Sequence, residues 1–122
     1  MAFQQNLKLR SAPVAADLSE SCFRFVVLDG TQSLAVAGAG VRVAGVLQTG
    51  PDTVGRAGGF AVSGISMIVA GAAIPTNTHV MSDDQGRAVP YEAGPGVFSP
   101  GKTVGRPALA AGEIISVMLE LG

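Results

Sequence analysis

VRVAGVLQTG (41–50), FAVSGISMIVAGAAIP (60–75), SDDQGRAVP (82–90) and VGRPALAAGEIISVMLELG (104–122) belong to one glycine-punctuated run from Val41 to Leu121. Short apolar pieces alternate with turn residues and never settle into a helical period, which is the signature of β-structure. Working outward, strands are predicted at 22–28, 33–37, 41–48, 60–70, 79–82, 87–91 and 113–120. The breakers between them are Asp29-Gly30, Gly38, Gly40, Gly50-Pro51, Gly58-Gly59, Ile74-Pro75, the Asp83-Asp84-Gln85-Gly86 turn and the loop from Gly94 to Gly101. Short strands at close spacing with little helix predict an all-β fold, a small compact β-barrel or β-tulip-like domain.

The first residues read differently. Phe3, Gln5, Leu7 and Leu9 alternate with Gln4, Asn6, Lys8 and Arg10, and Ser11-Ala12-Pro13 ends the run. Period two gives an extended segment one apolar and one polar face. Such a segment is either the first strand of the domain or an extended N-terminal arm that adds itself to the sheet edge of another protein. On the arm reading, residues 1–21 are arm and lead-in and residues 22–122 are the β domain. Pro13 can open a short helical turn through Ala15, Ala16 and Leu18.

Composition narrows the function. The chain has 122 residues, enough for one domain with a modest core. Charged residues are 14%, against about 25% in ordinary domains. Hydrophobic residues are 48%, aromatics only 5%, and mean hydropathy is +0.42. The core is therefore Val, Ile, Leu, Met and Ala, and the exterior has few charges to cover it. Such a surface is either small and neutral, or buried against copies of the chain or a larger partner. The net charge of −1 offers no basic stripe, which argues against a nucleic-acid partner. The N-terminus lacks the charged start and apolar stretch of a secretion signal. The longest apolar run, Met67 to Ile74, is too short for a membrane-spanning helix. Cys22 is the only cysteine and cannot form an internal disulfide; it reads as a small hydrophobe.

Several stretches imitate reactive sites. Gly96-Val97-Phe98-Ser99-Pro100-Gly101-Lys102-Thr103 matches the phosphate-loop pattern letter for letter. That chemistry needs a buried strand before the loop and a helix after it, so that backbone N–H groups surround the phosphates. Tyr91 to Pro95 is no such strand, and Gly105 and Pro107 oppose a helix. Gly38-Ala39-Gly40-Val41-Arg42-Val43 lacks the third glycine of the dinucleotide fingerprint, and Gly64-Ile65-Ser66-Met67-Ile68 lacks the last glycine of the nucleophile elbow. His79 is the only histidine, with no cysteines nearby to complete a zinc site. Asp83 and Asp84 fit an ordinary turn better than a cation site. No acid, base and nucleophile converge by spacing, so no catalytic residue, metal ligand or cofactor is predicted. Val-Gly-Arg recurs at 54–56 and 104–106, a three-residue hint of internal duplication.

One family pattern runs through the chain. It is carried by Ala44-Gly45-Val46-Leu47-Gln48, Ala61-Val62-Ser63-Gly64-Ile65 and Val69-Ala70-Gly71-Ala72-Ala73-Ile74. It continues in Ser82-Asp83-Asp84-Gln85-Gly86-Arg87-Ala88, in Val104-Gly105-Arg106, and in Ala108 to Ala111 leading into Gly112-Glu113-Ile114-Ile115-Ser116-Val117. In order and spacing these pieces resemble the capsid decoration, or cement, proteins of tailed bacteriophages, over about residues 26 to 121. The 91–103 loop is longer than in that family, and Pro107 stands where the family has an ordinary residue. The resemblance implies a non-catalytic role on the outside of the mature, expanded head. There such proteins bridge neighbouring major capsid protein subunits, often as homotrimers at three-fold and quasi-three-fold positions. It implies a virion location after synthesis in the bacterial host cytoplasm, with no nucleic-acid or membrane partner. On this reading the capsid contacts are Phe3, Gln5, Leu7 and Leu9 of the arm, with further contacts at Phe98 and Lys102. Two other readings remain: a virion surface spike or receptor-binding module, for which Phe98 and Tyr91 are the available aromatics, and a nucleotide-binding enzyme built on 96–103.

Overall fold

A computed structural model describes residue 2 and residues 4–120. It is all-β, with no helix among the described residues, and the sheet curls into a half-barrel. Nine strands follow in chain order: β1 (Gln5–Pro13), β2 (Phe25–Leu28), β3 (Leu34–Val36), β4 (Gly45–Thr49), β5 (Ala57–Val69), β6 (His79–Ser82), β7 (Ala88–Pro90), β8 (Gly101–Val104) and β9 (Ile114–Leu119). They hydrogen-bond in the order β3-β2-β4-β5-β9-β8-β6-β7, and β1 joins on β5.

β5 is the spine. Its thirteen residues are long enough to take three antiparallel partners. β1 lies along 57–65, β4 at 59–61 and β9 along 64–69. Ala61 pairs with both Leu9 and Val46, and Ile65 with both Gln5 and Met118. A strand residue has two edges, so β4 and β9 share one edge of β5 and β1 holds the other. Isolated bridges then curl the sheet. Val14 meets Leu34, bringing the end of β1 to β3, and Ala70 meets Ala88, bringing the end of β5 to β7.

Two apolar clusters fill the curls. Val14, Leu18, Val26, Leu34, Leu47 and Phe60 form the smaller one. Phe25, Val46, Ile68, Ile74, Val80, Ile115 and Val117 anchor the larger, each fully buried. As expected from the composition, aliphatic side chains dominate, with Phe25 and Phe60 as the only buried aromatics among the described residues.

The first segment is a strand of the chain's own sheet, which corrects the reading of residues 1–21 as a free arm. Ser11-Ala12-Pro13 does not end it: the ladder continues to Pro13 opposite Ala57, since a proline is tolerated at the end of an edge strand. The regular alternation also fails. Asn6 takes φ +52°, and the register slips between Gln5 and Lys8 and again at Leu9. The irregularity turns Leu7 onto the larger core while Leu9 stays 57% exposed, so the two do not share a face. Opposite it, Gly64 has φ +95°, and a Cβ there would strike the Asn6 carbonyl oxygen. Gly64 thus fits where a bulge brings two backbones together, which is a packing reason for half of the failed nucleophile-elbow pattern.

Other boundaries moved for local reasons. β2 starts at Phe25 rather than Cys22, because Phe23 takes φ +62°. In that conformation its N–H donates to Leu47 O and its carbonyl accepts from Val69 N, both at 2.7 Å. β4 begins at Gly45 rather than Val41. β5 begins three residues early, through Gly58-Gly59, because a ladder needs only backbone groups and β1 supplies partners there. Residues 14–21 form a bridge and turns rather than a helical turn. β8 was not anticipated at all. The two Val-Gly-Arg stretches are unrelated turns, one leading into β5 and the other leaving β8.

Candidate functional site

Directly paired residues on neighbouring strands share a face, so the register reads out the exterior of the sheet. Ile65 pairs with Met118, Met118 with Lys102, and Lys102 with His79, making one row across four strands. The next row is Met67, Ser116 and Val104, in which Ser116 is only 1% exposed, and the third is Val69 and Ile114. Met81, two residues beyond His79, pairs with Val89 on the same side. The intervening rows point inward: Ile68 with Ile115, and Ser66 with Val117 and Thr103, all fully buried. The outer face therefore carries Met67, Met81 and Met118 among aliphatic neighbours, with Lys102 and His79 as its polar members in the first row. Ile114 is 41% and Met118 36% exposed. A face of flexible thioethers and branched aliphatics adapts readily to a partner surface.

A second feature lies beside β1. A cleft of about 500 Å³ is lined by Arg10 to Pro13 on one side, by Leu28 and Gln32 on the other, and by Ala44, Phe60 and Val62 at its floor.

The residues singled out from sequence are dispersed. Phe3 lies outside the described residues. Gln5 is exposed opposite Ile65, and Leu7 is turned inward. Of the three that are described, Leu9 alone presents an apolar side chain to solvent. The lead-in to β1 is pinned: the Gln4 side-chain oxygen accepts from Met67 N at 3.1 Å and from Ser66 Oγ at 3.3 Å. Phe98 is half-buried; its N–H donates to Gly40 O and the Arg42 guanidinium stacks 4.3 Å from its ring centre. Lys102 belongs not to the loop but to β8, on the outer sheet face.

The phosphate-loop letters have a packing explanation. Gly101 lies where a Cβ would strike the Met118 carbonyl oxygen of the neighbouring strand. Thr103 is buried, its Oγ1 donating to Pro75 O at 2.8 Å and accepting from Thr78 N at 2.9 Å. The pattern ends in a strand, so no helix N-terminus faces the loop. Asp83 closes a turn: one oxygen accepts from Gln85 N and Arg87 N, the other pairs with Arg87 Nε at 2.9 Å. Among the described residues no three His, Cys, Asp or Glu side chains gather as a metal site. Asp29 works similarly, accepting from the Thr31 hydroxyl and from Ser33 N and Thr31 N, which holds its carboxyl below the ordinary aspartate value.

Sequence reasoning missed the outer face and the cleft. The face was encoded in the alternation of Ile65, Met67 and Val69, but reading it needed the pairing of β8, four residues hidden under the phosphate-loop letters. The cleft has no sequence signal, because it is a gap between strands distant in the chain.

No family model matches the sequence, and no curated protein does. Among solved structures the chain is similar to the head fiber gp8.5 N base of bacteriophage phi29. The likeness has a TM-score of 0.72 and 16% identity, over 94% of this chain and 97% of that one. At that identity the likeness establishes a shared fold.

Proposed function

We propose that this protein is a structural component of a phage head exterior, a cement protein that binds the mature shell and bridges neighbouring capsid subunits without catalysis. The observation that carries the reading is the fold: it matches a head fiber base almost end to end, with little left over on either chain. The outer Met-rich face gives the reading a contact surface. A chain with 14% charged residues and three exposed or half-exposed methionines on one sheet face fits a surface that a larger assembly covers. A clamp that binds only the expanded lattice stabilises that state by mass action, and many copies engaging several subunits add avidity. Self-association into trimers at three-fold positions would bury the same kind of surface.

The neighbour's description as a fiber base favours a second reading, in which the chain seats a projecting fiber on the head. The two readings share the contact with the shell and differ in what projects from it.

The experiment mixes purified protein with expanded and unexpanded heads and quantifies the bound copies. Binding to expanded heads only is the expected result, with occupancy reduced by Ile114→Glu and Met118→Glu while circular-dichroism melts stay near wild type. Binding to neither form of head overturns the proposal.

A further inference from the structure

The cleft beside β1 has the geometry of a missing strand. A pocket on one face of a strand touches alternate residues, because side chains alternate across the sheet. This one touches four consecutive residues, Arg10 to Pro13, so it runs along the strand's edge. That edge is open. Among the described residues β1 pairs only with β5, and its far end touches β3 at a single bridge, Val14 to Leu34. Beyond that bridge β1 and the β2–β3 hairpin splay apart, and Leu28 and Gln32 form the opposite wall. The floor is apolar, with Phe60 and Val62 from β5. The volume of about 500 Å³ falls within the usual range of ligand pockets, roughly 300–1,000 Å³.

Charge selects the occupant. Arg10 is the one charged residue lining the cleft, it has no carboxylate partner among the described residues, and Lys8 sits two positions away. A second copy is disfavoured: antiparallel pairing of two β1 edges about Leu9 would place Lys8 opposite Arg10, cation against cation. Leu28, 39% exposed, lies in the cleft wall and favours an apolar neighbour.

We propose that this cleft binds an extended, acidic peptide segment of another protein, which adds as a strand along the free edge of β1. One apolar side chain of the segment enters over Phe60 and Val62, and a carboxylate pairs with Arg10. Main-chain hydrogen bonds supply affinity and the pocket supplies specificity, as in other strand-addition sites. The inference rests on the cleft and the edge alone and does not depend on the capsid reading.

The test selects a random twelve-residue peptide library against the immobilised full chain, then titrates the enriched peptide into ¹⁵N-labelled protein. Enriched peptides are expected to alternate apolar residues and to carry Asp or Glu, and the amide shifts to cluster at residues 9–13 and 60–62. Arg10→Glu, at an exposed position, is expected to weaken binding about tenfold or more, the scale of a lost charge-assisted hydrogen bond. N-methylation of alternate peptide amides is expected to do the same, and Ala44→Leu to block entry. Three outcomes overturn the proposal: no enrichment over Arg10→Glu protein, enriched peptides without acidic residues, or binding indifferent to N-methylation. Peptide binding without decoration of heads would sink the capsid reading and leave this one standing; decoration without peptide binding would do the reverse.

Discussion

Thr103 shows how one hydroxyl ties the fold together. It is buried on the inner face of β8 and connects the Pro75 carbonyl to the Thr78 N–H across a turn. Thr103→Val keeps the shape but removes both hydrogen bonds made by the buried hydroxyl, each worth about 0.5–1.5 kcal/mol net. Urea denaturation is expected to show a loss of about 2 kcal/mol, with Thr103→Ser retaining most of the stability. Asp29 is the pH-sensitive counterpart. Hydrogen bonds from the Thr31 side chain first, then from the Ser33 and Thr31 amides, depress its native pKa. A depressed carboxyl contributes stability above its unfolded value, about 3.9, and loses it as pH falls through the lower native value. Asp29→Ala is therefore expected to lower the thermal midpoint at neutral pH, with the gap to wild type closing in strong acid. A gap unchanged between pH 7 and pH 2 would contradict the role of the ionised carboxylate.

At the scale of the element, β1 is where the alternation of Phe3 to Arg10 misled. Period two correctly marks an extended segment, but it says nothing of what the segment pairs with, nor of a bulge within it. Because β1 holds one edge of β5 and places Leu7 on the core, removing residues 2–10 exposes a long strand edge. The truncated chain is expected to melt lower and to aggregate on size-exclusion chromatography. Wild-type melting after truncation would mean that β1 contributes little to the sheet. β8 was illegible for the opposite reason. Four residues carry too little periodicity, and Gly101 and Lys102 mimic a phosphate loop while serving a close backbone approach and the outer face. By contrast β6, predicted at 79–82, is found at His79–Ser82, and β9 falls within the predicted 113–120, because clear turns bound both. The outer face and the cleft belong to no single element, so no window of sequence contains either.

For the whole molecule, connectivity sets the folding time. β5 must capture β1 from some fifty residues before it and β9 from some fifty after it, so the spine is built from non-local pairings. All-β topologies of this kind refold in roughly milliseconds to seconds. Stopped-flow refolding is expected in that window, and microsecond refolding would contradict the topology. The sequence by itself determined the fold class, most strand positions, the aliphatic core and the lack of charge. All of these follow from local periodicity, turn chemistry and composition. It also showed why each reactive-looking motif lacks its flanking structure. Tertiary structure alone decided that the first segment is a strand, that Leu7 and Leu9 part company, that methionines from three strands share one face, and that a gap opens beside β1. Each of these depends on register and on which strands meet, and those are set by pairings between residues far apart in the chain.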